Sequence, residues 1–145
     1  MQQKKWNDEK KLQYDLALHQ ELARNYELIT KLALICLKKH LKLIIENPYS
    51  EQHYLTRYWG IKPKYIDYDR TQTGDFEKKP TQYWFINCEP KHNFIFEAVD
   101  VKKRKTHNSV SKGGWHTLET QVERSMISRD YANRFIREMI LDENI

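Results

Sequence analysis

From Asn7 to Glu46 the chain has no glycine and no proline, and leucine, alanine, lysine and glutamate dominate. Nothing in this stretch breaks a helix, and its composition favours one. Asn7 or Asp8 can serve as the N-cap, with Asp8 and Glu9 in the first turn against the positive end of the helix dipole. One apolar stripe runs Leu18, Leu22, Ile29, Leu32, Cys36, Leu43, and a second runs Leu12, Leu16, Ala23, Tyr26, Ala33, Leu37, Ile44. Together they make a wide apolar face, widest after Leu28, that fits burial against more than one neighbour. Asn47-Pro48 is the expected stop, because the residue before a proline is pushed out of the α region.

Unbroken, such a helix would be about 60 Å long at about 1.5 Å per residue. A compact domain of this size has a radius of gyration of only about 15 Å. The helix therefore either splits, with Arg24-Asn25 the natural place, or projects and pairs with a partner helix. Self-association of this helix into a homodimer and two antiparallel helices within one monomer are both open.

After Pro48 the pattern changes. Ser50 is expected to cap a short helix through Tyr58-Trp59, closed by Gly60 and followed by Pro63. Tyr65 to Asp69 is a short strand candidate, and Arg70 to Pro80 a polar loop bending at Gly74 and Asp75. Gln82 to Cys88 and Phe94 to Val101 are rich in aromatic and β-branched residues, and Glu89 to Asn93 has the length and chemistry of a hairpin turn. Lys102 to Gly114 is a basic, polar loop. Thr117, or Thr120 with Glu123, then caps a C-terminal helix whose apolar face carries Leu118, Val122, Met126, Phe135, Ile136 and Ile140. Ser128 with Asp130 resembles a second N-cap. The expected fold is thus α+β: a long N-terminal helix, in one piece or split in two, and a C-terminal helix, packed on one face of a short antiparallel three-stranded sheet. The length, 145 residues, suits a single domain spanning 1–145.

Composition bounds the function classes. Two cysteines, Cys36 and Cys88, lie far apart on apolar segments, the usage of a reducing, cytoplasmic compartment. The most apolar stretch, Leu28 to Ile45, is interrupted by Lys31, Lys38, Lys39, His40 and Lys42, so no membrane span is expected. The formal charge of +5 favours nucleic acid or an acidic protein as partner.

The strongest local feature is Lys102-Lys103-Arg104-Lys105, followed by His107 and Lys112. Four consecutive cations repel one another and are stable only when exposed, where their natural use is to neutralise phosphates. Twelve of the eighteen aromatics fall between Tyr49 and Phe96, and bases stacked on such rings contribute about 1–3 kcal/mol each. The first functional expectation is therefore a nucleic-acid-associated accessory or regulatory factor that binds through the 102–112 loop. The alternative is a protein-binding module (an adaptor, inhibitor or immunity-type protein) acting through the long helix and an aromatic sheet face.

A third reading comes from Asp100-Val101-Lys102 at a strand end, with acidic Asp75 upstream. This pattern resembles the PD-(D/E)xK metal-dependent nucleases, whose order of helix, three strands and helix is similar. The resemblance implies Asp75 (or Asp69) and Asp100 as ligands of a divalent metal, and Lys102 beside the attacking water. Outside that resemblance no cofactor or metal site is expected. The histidines show no metal-ligand spacing, although His107 and His116, with Thr106, Ser109 and Lys112 nearby, are an assortment able to run metal-free RNA cleavage. Gly113-Gly114 lacks the phosphate-cradling pattern. An enzyme is the least supported class.

Overall fold

The computed structural model describes residues 5–91 and 126–141. The elements in chain order are α1 (Asp8–Lys38), β1 (Leu43–Pro48), α2 (Tyr54–Tyr58), β2 (Tyr65–Asp67), a 3-10 turn (Arg70–Gln72), β3 (Thr81–Ile86) and α3 (Arg129–Arg134), which continues as a π-helix over Phe135–Leu141. The fold is mixed α+β, with a long N-terminal helix, a C-terminal helix and a three-stranded antiparallel sheet.

α1 is one helix of 31 residues, about 46 Å long, with no split at Arg24-Asn25. Asn7 caps it, its side chain accepting from Lys10 N at 2.9 Å. The helix stops at Lys38, eight residues before the expected end. Lys39 N still reaches Ile35 O, but His40 turns left-handed at φ 55°. His40 N then donates to Leu37 O and Leu41 N to Cys36 O, the paired bonds of a Schellman ending. The stop is backbone geometry, not Pro48.

The freed segment becomes β1, so Leu43, Ile44 and Ile45, expected on a helical stripe, lie in the sheet instead. Its β-branched residues suit a pleated surface, and Pro48 falls at the end of an edge strand, where a missing N–H costs little. The sheet order is β1-β3-β2, with β3 central. Leu43 pairs with Ile86 and Pro48 with Thr81, while Tyr65 pairs with Tyr83 and Asp67 with Thr81. Both partners of β3 thus precede it in sequence. The expected hairpin partner, Phe94 to Val101, lies outside the described residues, as do Leu118, Val122 and the caps Thr117 and Thr120.

Every residue of β3 is buried, because helices cover both faces of the sheet rather than the one expected. Trp84 and Ile86 join Ala33 of α1 with Leu55 and Trp59 around α2, and Leu43 and Ile45 pack against them. Tyr83 and Phe85, on the opposite face, join Tyr131, Phe135 and Met139 of the C-terminal helix, with Ile44 and Tyr65 alongside. The strand alternation decides this allocation. Two polar anchors join α1 to the α2 segment, Trp59 Nε1 donating to Thr30 Oγ1 at 3.0 Å and Tyr26 Oη to Tyr54 O at 2.6 Å, and Trp84 Nε1 of β3 donates to Ile61 O, just after α2, at 3.0 Å. Ser50 makes a turn by accepting from Gln52 N, whereas the cap of α2 is His53, without a side-chain bond.

At the C-terminus Ser128 is the N-cap, accepting from Tyr131 N at 3.2 Å. The wider π turn keeps Tyr131, Phe135 and Met139, four residues apart, on the sheet. Met126 and Ile136 of the expected apolar face are exposed instead.

Candidate interaction surface

Two features stand out: the bare length of α1, and a polar cluster closed beneath the 67–77 loop. α1 buries only Ala33 and Cys36. Among the described residues, its packing and hydrogen bonds to the rest of the protein involve Tyr26, Ile29, Thr30 and Ala33, all in its second half. Leu12, Leu16 and Leu18 lie beyond them toward the N-terminus and are exposed, Leu12 at 68%. Beside the docked face, Leu28 (70% exposed), Leu32, Leu34, Ile35 and Leu37 are also open to solvent. Such a run is unusual, since apolar side chains left in water forgo about 1.5–3 kcal/mol each relative to burial. The helix survives on propensity, its Asn7 cap and local pairs such as Lys31–Glu27 and Lys11–Asp8, which on an exposed helix contribute only a few tenths of a kcal/mol. Trp6 folds back edge-on to Tyr14, ring centroids 5.5 Å apart, with the Lys10 ammonium over its face.

The second feature surrounds Arg70, which is wholly buried. Its Nη2 donates to Asp75 Oδ2, and its guanidinium lies 4.8 Å above the Tyr131 ring. Asp75 Oδ1 accepts from Glu77 N, so both carboxylate oxygens are engaged. Asp67 Oδ2 accepts from Thr73 Oγ1 at 2.6 Å and from Tyr131 Oη at 3.0 Å, and Tyr131 Oη lies 2.9 Å from Tyr83 Oη. Burial, then the neighbouring phenol and Asp67, pushes Tyr131 well above the ordinary phenol range; burial does the same to Tyr83. Arg134 adds an ion pair to Glu138 and a bond from Nη1 to Thr73 O. Closed to solvent and knit by complementary charges, this cluster fastens the loop to β3 and the C-terminal helix. An open cavity of about 220 Å³ beside it is apolar, lined by Ile44, Ile127, Phe135, Ile136 and Ile140 among others.

Of the residues singled out from sequence, Lys102, Lys103, Arg104, Lys105, His107, Lys112, Asp100 and His116 lie outside the described residues. Asp75 is the Arg70 partner just given. Asp69 caps the 3-10 turn, accepting from Thr71 N and Thr71 Oγ1. No cluster of His, Cys, Asp or Glu among the described residues is placed to hold a metal ion, and no described helix is long and apolar enough to cross a membrane. The aromatics of β3 are core residues, so that part of the expected sheet face offers no stacking platform; among the described residues Tyr14, Tyr58, Tyr68 and Phe76 are the exposed aromatic rings. Sequence reasoning missed Arg70, Tyr131 and Arg134 altogether. Only Asp69-Arg70 beside a bend and a tyrosine at the first turn after Ser128 hinted at them. No family model, no curated protein and no solved structure matches the chain.

Proposed function

We propose that this protein is an interaction module whose contact element is α1. The observation that carries the reading is the exposure of leucines along a 31-residue helix that buries two residues against its own domain. A helix presenting such a face is suited to lie against another helix or in an apolar groove. Photo-crosslinking in cells tests this, with the reactive side chain at position 28 or 32 and, as control, at Gln20 or Lys31 on the polar side. Adducts from the apolar positions alone are expected, whether to another protein or to a second copy. Equal yield from both sides, or none, overturns the reading.

A second reading, nucleic-acid contact, is supported by the charge of +5 and by the four consecutive cations at Lys102 to Lys105 with His107 and Lys112 after them. Its test is titration of labelled oligonucleotides at about 50 and about 200 mM salt, a range over which several phosphate contacts cost orders of magnitude. Binding that falls with salt and is lost when residues 102–105 become serine supports it. No binding at the lower salt overturns it, together with the nuclease resemblance if magnesium brings no cleavage.

A further inference from the structure

We infer that the occupant of the exposed α1 face is a second copy of this chain, its helix running antiparallel. The inference rests on the reading of α1 as a contact element and names its partner. Along the flank beside the docked face, alternating four- and three-residue steps carry Tyr14, Leu18, Leu28, Leu32 and Ile35, with Glu21 and Asn25 at the two steps between Leu18 and Leu28. This is the seam spacing of a two-helix coil. The five apolar members are all exposed.

Charge sets the direction. From Asp8 to Ala23 the helix carries Asp8, Glu9, Asp15 and Glu21 against Lys10 and Lys11, a net of −2. From Arg24 to Lys38 it carries Arg24, Lys31 and Lys38 against Glu27, a net of +2. A parallel pair in register would set like-charged halves together and place Glu21 against Glu21 in the seam. An antiparallel pair sets the acidic half on the basic half and aligns the two helix dipoles favourably. It also lets Leu18 meet Leu28 and Tyr14 meet Leu32, while Glu21 meets Asn25; at the ends of the seam Ile35 falls opposite Lys11.

Geometry agrees. The sheet and its other helices attach to α1 through Tyr26, Ile29, Thr30 and Ala33, so in this register an antiparallel pair offsets the two attachment points by about 20 Å along the axis, whereas a parallel pair in register would set them side by side. A strip about 46 Å long and about 10 Å wide on each copy amounts to roughly 900 Å² before the relief of the side chains is counted. That is close to the ~1,000 Å² which a specific interface requires.

Sedimentation equilibrium of the full chain, from the micromolar to the millimolar range, is the first arm of the test. The expected result is twice the chain mass for the wild type, and a single chain mass for Leu28→Lys with Leu32→Lys at unchanged far-ultraviolet circular dichroism. The second arm uses Tyr14→Cys and Leu32→Cys in a background with Cys36→Ala and Cys88→Ser, joined by a short bismaleimide. Crosslinking in a mixture of the two variants, and not in either alone, is expected. Wild type that stays monomeric throughout overturns the inference; if crosslinks from position 28 to a different protein persist, the interaction module itself stands. Self-crosslinking of Tyr14→Cys alone overturns the antiparallel arrangement, and a dimer that survives the two lysines overturns the seam.

Discussion

Gly74 sits at φ 97° in the loop that closes over the polar cluster, and a Cβ there would meet Arg134 Nη1 at 2.9 Å. The backbone conformation therefore calls for glycine, and a Cβ would also push the Arg134 guanidinium aside. Gly74→Ala is expected to cost about 1–3 kcal/mol and to loosen the bond from Arg134 to Thr73 O, read as a lower urea midpoint. His53 is a second residue with a measurable signature. Its ring lies 4.7 Å from that of Tyr54 and 6.5 Å from that of Trp84, its Nδ1 has no hydrogen-bond partner among the described residues, and burial holds its pKa below the ordinary 6.5. Above that value both the folded and the unfolded chain carry a neutral ring, and the site costs nothing. Below it the unfolded chain binds the proton first, so stability is lost as the pH falls through 6.5 and further. Urea midpoints at pH 7.5 and pH 5.5 should differ less in His53→Phe than in the wild type; an equal drop would show that other groups carry the acid sensitivity.

Among the elements, α1 depends on a small contact for its placement. Ala33 is almost fully buried against Trp84, Trp59 and Leu55, and its small side chain allows the helix to approach the sheet. Ala33→Leu is expected to cost about 1–3 kcal/mol through overpacking while leaving helix content nearly unchanged, because most of α1 does not rely on that contact. Equilibrium unfolding followed by circular dichroism and by tryptophan fluorescence separates the two effects. A large loss of helix signal in the folded variant would mean that the domain templates α1 rather than the reverse. β3 shows the complementary case. Buried on both faces and paired along its whole length by β1, it is the element around which the others are arranged.

Over the whole molecule, the buried charges join parts distant in sequence: Asp67 at the end of β2, with Arg70 and Asp75 of the loop after it, meets Tyr83 of β3 and Tyr131 of the C-terminal helix. Such a network stabilises little in sum but is costly to half-dismantle, because a lone buried charge has lost its water without gaining a partner. Arg70→Met should therefore cost about 3–5 kcal/mol, and Arg70→Met with Asp75→Leu less than Arg70→Met alone. Additive costs in this double-mutant cycle would mean that the pair is not coupled. The exposed α1 belongs to the same scale, since its apolar flank has no counterpart among the described parts of its own domain.

The helix at the N-terminus with its Asn7 cap, the cap at Ser128, the strands at Tyr65 and Gln82 and the α+β class were legible in the residues. Each follows from local chemistry: propensity, side-chain caps, β-branched and aromatic runs. The end of α1 was not, because Leu43-Ile44-Ile45 continues a helical stripe as readily as it forms a strand. The turn at His40 and the pairing with β3, both non-local or backbone effects, settled the matter. The polar cluster was invisible for the same reason: Arg70 and Asp75 read as residues of a polar loop, Asp75 also as a candidate metal ligand, and nothing local singled out Tyr131 before the fold closes over them. Likewise the stripes on α1 announced an apolar face, but only the tertiary structure shows how little of that face the described part of the domain covers. Periodicity records which side chains share a side of a helix, whereas burial depends on what the rest of the chain brings to it.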